Sequence, residues 1–298
     1  MPTLTPGIYA IEAEEYHKDP CETPSLSHSV AALLFNRSPL HAMLAHPRLN
    51  PNYVAEENAA FDLGSAAHSL FLEGRDKCVV LSYADFRSKA AQEERDSARR
   101  SGLYPLLAHQ YADVCNMLVE AQMAIELLQD VDFTTFGCKP EQTLVWREEN
   151  GILCRIRPDL LRDDFTAALD YKTTTNAEPG YFNRQLSRMD YAFQAAFYSR
   201  GIQKFGRIQP EFIFMAQESS PPYQCSFHAI APSLWQIAES QVEYAIRRWG
   251  ECMKANVWPG YSPHLHYAEA KPWQIDEEIE RLQGIPYDPQ KLFPKNRE

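Results

Sequence analysis

Pro158-Asp159 is followed, eleven residues on from the aspartate, by Asp170-Tyr171-Lys172, so two carboxylates and an ammonium fall within one short stretch of strand-forming sequence. The flanks Arg155 to Leu160 and Thr166 to Lys172 read as strands, and the polar Arg162-Asp163-Asp164 between them reads as a turn. Paired as a hairpin, the strands bring Asp159 and Asp170 side by side at one end of a sheet. Period-2 alternation then sets Asp170 and Lys172 on one face and Tyr171 on the other. Two hard oxygen ligands beside an ammonium suit Mg²⁺-assisted phosphodiester hydrolysis, in which the ion screens phosphate charge and acidifies water. Lys172 is placed to orient that water or to neutralise developing charge. An aspartate at a strand end and a lysine on a strand surface are each commonplace, so the pattern draws its meaning from what surrounds it.

The elements that must position these groups follow from periodicity. Ser25-Leu26-Ser27 reads as a helix cap before Val30 to Phe35, interrupted at Pro39, and residues 50–58 read as a loop. Ala59 to Glu73 carries Phe61, Leu63, Ala66, Ala67, Leu70 and Phe71 at helical spacing, with His68 and Glu73 set into that apolar pattern. A lone histidine there is more often a satisfied core residue than a ligand. At α-helical pitch Glu73 lies about 140° around the axis from His68, so it is expected to support structure or DNA contacts rather than a metal. Cys78 to Leu81 is a short strand, Asp85 to Arg100 a charged helix and Tyr111 to Leu128 a helix with a buried stripe. A three-stranded meander of 142–147, 152–157 and 166–172 forms the expected centre, with Glu141 at its start and outside the ligand set. One amphipathic helix over Asn183 to Gly201 places Gln194 and Tyr198 four residues apart on one face. Two strands, Pro210 to Ala216 and Tyr223 to Ile230, join through residues 219–222, and Ser233 to Asn256 closes as a long helix. Residues 1–262 thus read as one domain with a helical N-terminal portion, and 263–298 as a Pro-rich, charged tail suited to oligomer or partner contacts.

Composition bounds the alternatives. The chain has 298 residues, 45% of them hydrophobic, enough for a sizeable core. No apolar run approaches the roughly 20 residues of a membrane span, and the start lacks a basic region followed by an apolar stretch, so a cytoplasmic protein is expected. Seven cysteines are scattered without a close pair and read as reduced thiols. The net charge of −11 argues against a general DNA-coating protein. It is compatible with an enzyme that confines its basic groups to an interior channel. Zinc is not indicated, because His264-x-His266 sits in a Pro-rich segment without a third ligand.

The element order α-β-β-β-α-β is that of an α+β restriction-endonuclease-like core, a mixed central sheet flanked by helices. Several separated motifs in that order resemble the PD-(D/E)xK nucleases, and within them the phage and prophage exonucleases similar to exodeoxyribonuclease VIII. They are Gly64-Ser65-Ala66-Ala67-His68 with Glu73, Phe86-Arg87-Ser88-Lys89, the run Gly151 to Asp159, Asp170-Tyr171-Lys172-Thr173-Thr174, Gln194-Ala195-Ala196-Phe197-Tyr198 and Trp258-Pro259-Gly260-Tyr261.

The resemblance implies that His68, Asp159 and Asp170 bind a catalytic Mg²⁺ (or Mn²⁺), that Lys172 is the catalytic lysine, and that Gln194 and Tyr198 line the site against DNA or the attacking water. It implies a 5′-to-3′ exonuclease on linear double-stranded DNA ends that leaves 3′ single strands for recombination. A homo-oligomeric ring such as a tetramer, and a single-strand annealing recombinase as partner, are implied on the same ground. Some relatives carry an iron–sulfur cluster with closely spaced C-terminal cysteines, but here only Cys225 and Cys252 follow the site, far apart, so no such cluster is expected. Two further readings stay open at this point: a single-strand or structure-selective nuclease of the same fold, and an inactive DNA-end-binding or phage assembly scaffold.

Overall fold

A computed structural model describes residues 3–54, 62–74, 76–134 and 137–282. The expected helix start at Ala59 and its Phe61 lie outside the described residues. The chain divides into two units, Met1–Gly260 and Tyr261–Glu298.

In the first unit β1 (Gly7–Tyr9), α1 (Ala13–His17) and the two-residue β2 (Leu26–Ser27) lead into α2 (His28–Asn36) and α3 (Pro39–Ala45). Pro39 does more than interrupt: its fixed φ and missing N–H suit a first helical turn, so it opens α3, and the Ser38 side chain accepts from the His41 N–H as the cap. Helix α4 (Asp62–His68) runs into a π turn, Ser69–Glu73, which ends at Gly74 in the left-handed region with φ 62°. The parallel pair β3 (Cys78–Leu81) and β4 (Tyr104–Leu107) flanks the charged α5 (Lys89–Arg100), and α6 (Ala108–Leu127) turns Val114, Met117 and Ala121 inward.

Then come β5 (Cys138–Pro140), β6 (Thr143–Arg147), β7 (Leu153–Ile156), β8 (Leu160–Arg162) and β9 (Ala167–Thr174). Helices α7 (Pro179–Arg188) and α8 (Tyr191–Gly206), strands β10 (Glu211–Glu218) and β11 (Cys225–His228), and α9 (Pro232–Ala255) complete the unit. The second unit carries α10 (Pro272–Arg281), none of whose residues is buried.

The expected mixed sheet flanked by helices is present, as five strands in the order β11-β10-β9-β8-β5. Strands β9 and β10 run parallel from Ala167↔Glu211 to Thr174↔Glu218, and the other three pairings are antiparallel. Alternation along β9 splits the core. Ala168 faces a cluster built on α2, α8 and α9, whereas Ala167, Leu169 and Tyr171 face a second cluster built on α4 and α6. Helix α8 runs through the first cluster so closely that a Cβ on Gly201 would come within 2.6 Å of the Trp146 ring. Any larger side chain there must displace a packed indole.

Two expectations need correction. The meander is not one sheet: β6 and β7 pair with each other in a separate sheet ordered β1-β6-β7-β2, and β9 pairs instead with β8 and β10. Arg155 to Leu160 is accordingly not a single strand. Pro158 has no N–H to give a ladder, so pairing stops at Ile156 and resumes at Leu160 in the other sheet. Nor is 183–201 one helix. It breaks at Met189-Asp190, where Asp190 accepts from the Asn36 side chain, because α8 is buried on nearly every side while α7 buries only Phe182 and Leu186. The chain has to turn between those two depths.

A buried charge cluster fixes the strand that leads to Pro158. The Asp19 carboxylate accepts from the Ser25 backbone N–H (3.0 Å) and hydroxyl (2.6 Å), and lies 3.1 Å from the Arg155 guanidinium and 3.2 Å from His46 Nε2. Burial opposes ionisation, but His46, Arg155 and Ser25 outweigh it and hold the Asp19 pKa down to about 2. A carboxyl whose pKa is lower folded than unfolded stabilises the fold above its unfolded pKa. That contribution, about 2 kcal/mol at neutral pH, disappears as the pH falls through about 2. Asp19→Ala, which strands Arg155 without its counter-ion, is expected to cost about 3–5 kcal/mol in denaturant unfolding. A loss below about 1 kcal/mol would show that this cluster does not hold the strand.

Candidate active site

The β8–β9 register, Leu160↔Leu169 and Leu161↔Ala168, sets Asp159 across from Asp170 one step further along. Asp159 Oδ2 is pinned there by the Tyr171 N–H at 2.7 Å. His68 ends α4, and its Nε2 stands 3.2 Å from that same oxygen and 3.5 Å from Glu141 Oε1. Helix α4 comes close to β9 because Gly64 has no side chain; a Cβ at that position would lie 2.8 Å from the Thr173 hydroxyl.

Glu141 arrives from the other side. The pairing Pro140↔Leu160 brings it opposite Asp159, and its N–H donates to the Asp159 carbonyl at 3.1 Å. Its φ of 55° is left-handed, a conformation that costs an L-residue about 1 kcal/mol. Arg157 offsets that cost. Its Nε donates to the Glu141 carbonyl at 3.1 Å, and its Nη1 lies 3.0 Å from Glu141 Oε2.

Beside this group lies a second. Lys172 Nζ is 2.5 Å from Asp170 Oδ2, and Gln194 Nε2 donates to Asp170 Oδ1 at 2.6 Å. The Tyr198 hydroxyl, one helical turn beyond Gln194, donates to the Arg157 carbonyl at 3.4 Å, and its ring meets His28 edge-on at 5.5 Å. Tyr171 points to the opposite face, where its hydroxyl donates to the Gln217 side chain.

Among the described residues, His68, Glu141 and Asp159 form a group whose ligand atoms all lie within 4.8 Å of one another. Three carboxylates, Glu141, Asp159 and Asp170, are gathered in a largely buried site against Arg157, His68 and Lys172. Burial and the Asp159 charge lift Glu141 to about 7 despite Arg157 and His68. Asp170 is likewise raised, by burial and by Asp159, against the pull of Lys172 and Gln194. Asp159 goes the other way: burial is overcome by His68, by Lys172 and by the Tyr171 N–H. His68 is lifted to about 9, since Asp159, Glu141 and Asp170 outweigh its own burial. Asp170 Oδ2, buried and ion-paired to Lys172, accepts no well-directed hydrogen bond. Two carboxylates, an imidazole and a neighbouring under-satisfied carboxylate are a donor set that fits a hard divalent cation such as Mg²⁺ or Mn²⁺.

Of the expected ligand set His68, Asp159 and Asp170, the first two share one group with Glu141, whereas Asp170 is drawn to Lys172 and Gln194 beside it; Tyr198 lies behind Arg157. Glu141, expected outside the ligand set, stands beside His68 and Asp159, because the short β5–β8 pairing carries it to Asp159. Glu73 differs in phase. A π turn closes i→i+5, so five residues complete about one turn and bring Glu73 back toward the side of His68. Its charge contributes to raising Glu141. Arg157, inside the quoted motif but given no role there, is the residue that holds Glu141.

Residues 28–271 match the family model of a PDDEXK-like domain of unknown function (DUF3799). A crystal structure described as that of a candidate exonuclease from Eubacterium rectale is similar at 13% identity and a TM-score of 0.56, over 97% of this chain and 100% of that chain. At that identity the likeness speaks to the fold alone. The structure of SSO0001 aligns over 61% of this chain and 86% of that chain at 11% identity, with a TM-score of 0.26 that carries no weight for the fold. No curated protein matches the sequence. With the family model covering most of its length and the acidic cluster, lysine and helix glutamine gathered at one sheet end, this chain belongs to the PDDEXK-like domain family, within the PD-(D/E)xK nuclease superfamily.

Proposed function

We propose that the protein is a Mg²⁺- or Mn²⁺-dependent exodeoxyribonuclease that degrades linear double-stranded DNA from its ends, 5′ to 3′, and leaves 3′ single-stranded overhangs. The observation that carries this reading is the convergence of His68, Glu141 and Asp159 beside the Asp170–Lys172 pair. His68, Glu141 and Asp159, with Asp170 adjoining, would hold a divalent ion, which when bound would supply positive charge to the phosphate and acidify water. The protein's own groups do the rest. Lys172, its pKa raised because the Asp170 and Asp159 charges outweigh burial, keeps its proton and presents a fixed ammonium to the developing charge. Gln194 fixes the Asp170 carboxylate, the Tyr171 N–H fixes Asp159, and Arg157 fixes Glu141. Gln194 and Tyr198 are both buried and wall the site from bulk solvent.

End selectivity is supported by the description of the Eubacterium rectale neighbour as a candidate exonuclease; polarity, the recombination role, a ring-like homo-oligomer and a single-strand annealing partner rest on the family resemblance. Residues 1–262 carry the nuclease in this reading, and 263–298 serve oligomer or partner contacts in the cytoplasm. None of the described helices is long and apolar enough to cross a membrane.

The test uses linear duplex, closed-circular duplex and single-stranded DNA, labelled at either end, with Mg²⁺ and with chelator. Mononucleotide release from the linear duplex alone, abolished by chelator and by Asp170→Ala or Lys172→Ala, is the expected result. Release retained in both variants removes the site. Cleavage of the circle or the single strand at equal rate makes it a structure-selective nuclease, and binding to ends without hydrolysis makes it a scaffold.

A further inference from the structure

Residues 23–54 contain no aspartate or glutamate, in a chain that carries 40 of them over 298 residues. That acid-free segment builds α2, α3 and the turns beyond, and with α1 it encloses a groove of about 930 Å³. Its lining combines two cations, Lys18 and Arg37, with three flat rings, His17, His41 and Tyr53. Leu44, Tyr53 and Val54, three of the large apolar side chains left exposed on this unit, lie together along it. The acid in the lining, Glu14, is held by Lys18 at 2.5 Å.

One end of the groove, at His17, lies next to the residue of α1 that packs on the strand leading to the catalytic region. On α1 Tyr16 turns inward, and its hydroxyl donates to the Arg155 carbonyl at 3.4 Å, while the next residue, His17, lines the groove. The Arg155 guanidinium lies 5.2 Å from the centre of the Tyr16 ring, and two residues along the chain Arg157 grips Glu141.

We propose that this groove is a track for single-stranded DNA leading away from the catalytic site, a proposal that rests on the nuclease reading. Cations spaced among flat rings on an apolar floor are what a single strand needs, since its phosphates pair with charge and its exposed bases stack. Duplex DNA buries those base faces and has no use for the rings. The whole chain carries a net charge of −11, which repels the strand, so a segment free of acids is where the strand can lie.

Fluorescence anisotropy of a labelled oligothymidylate with the full-length protein, without divalent ion, measures the track apart from hydrolysis. Tyr53→Ala is expected to weaken binding at least about fivefold. The double variant Lys18→Gln, Arg37→Gln is expected to lower the slope of log affinity against log salt by at least about 0.7, one full phosphate contact, since Lys18 already pairs with Glu14. Leu44→Asp, an exposed change on the floor, is a second probe that leaves the fold's interior untouched. Affinity and salt slope unchanged in all three overturn the proposal, as does a protein partner seated in the groove while oligonucleotide binding stays unaffected. Hydrolysis of bis(p-nitrophenyl) phosphate, too small to reach the groove, is expected to be equal in wild type and variants. Its absence in the wild type strikes the catalytic reading, whereas anisotropy decides the track.

Discussion

Asparagine in place of Asp159 is expected to lower phosphodiester hydrolysis at least about a thousandfold, the equivalent of about 4 kcal/mol in the barrier, while leaving the fold intact. Asp159 is where the site's contacts meet. It shares a group with His68 and Glu141, faces Asp170 across the β8–β9 hairpin and accepts the Tyr171 N–H. Asparagine keeps an oxygen for that N–H, so the local backbone loses only the charge-assisted share of one hydrogen bond, about 1 kcal/mol. What it removes is a negative charge at the centre of the ligand group. Electron paramagnetic resonance of Mn²⁺ should show affinity lost in step with rate, with the melting temperature nearly unchanged. Hydrolysis within tenfold of wild type, at saturating ion, would remove Asp159 from the site.

How far these positions could be read from sequence depends on how local their causes are. Asp170 and Lys172 share a face because strand alternation does not depend on which strands lie alongside, so the pattern held although the expected partner strand did not. Gln194 and Tyr198 are one helical turn apart whether the helix begins at residue 183 or 191, and the break at Asp190 left them on the same face. Asp159 was legible for its type and its distance from Asp170, while the sheet change at Pro158 was not, since proline says that a ladder ends and not where the next begins.

Strands β1, β2 and β5 have only three, two and three residues, too short to show any alternation; β1 and β2 exist because longer neighbours offer them an edge, and β5 pairs with the equally short β8. Glu141 depends wholly on one of these. The phase of Glu73 is hidden for a different reason: α-helical pitch does not hold across a segment that widens into a π turn, and the sequence Ser69–Glu73 carries no proline or glycine to announce it.

Glu141→Gln separates these two views of the site. If Glu141 is a ligand, its replacement by an isosteric amide should weaken Mn²⁺ binding at least about 10- to 100-fold, by no less than the loss of an outer-shell partner would, with hydrolysis falling in parallel. Glu73→Gln, removing a charge that raises Glu141 without being part of the ligand group, should stay within about threefold. The raised pKa of Glu141 shows that burial and Asp159 already oppose its charge, so a neutral glutamine does not cost the metal-free protein much of its stability. If Glu141 is instead only the counter-ion of Arg157, the pattern reverses: Arg157 loses its partner, unfolding occurs at lower denaturant, and Mn²⁺ affinity stays at the wild-type value. Arg157→Gln tests the same point from the other side. Released from the guanidinium 3.0 Å away, Glu141 keeps its backbone hydrogen bond to Asp159 but loses the clamp on its left-handed turn. Ion affinity should then fall less than in Glu141→Gln, and the double variant should be no worse than Glu141→Gln alone, because a clamp has no further effect once the ligand it holds is gone.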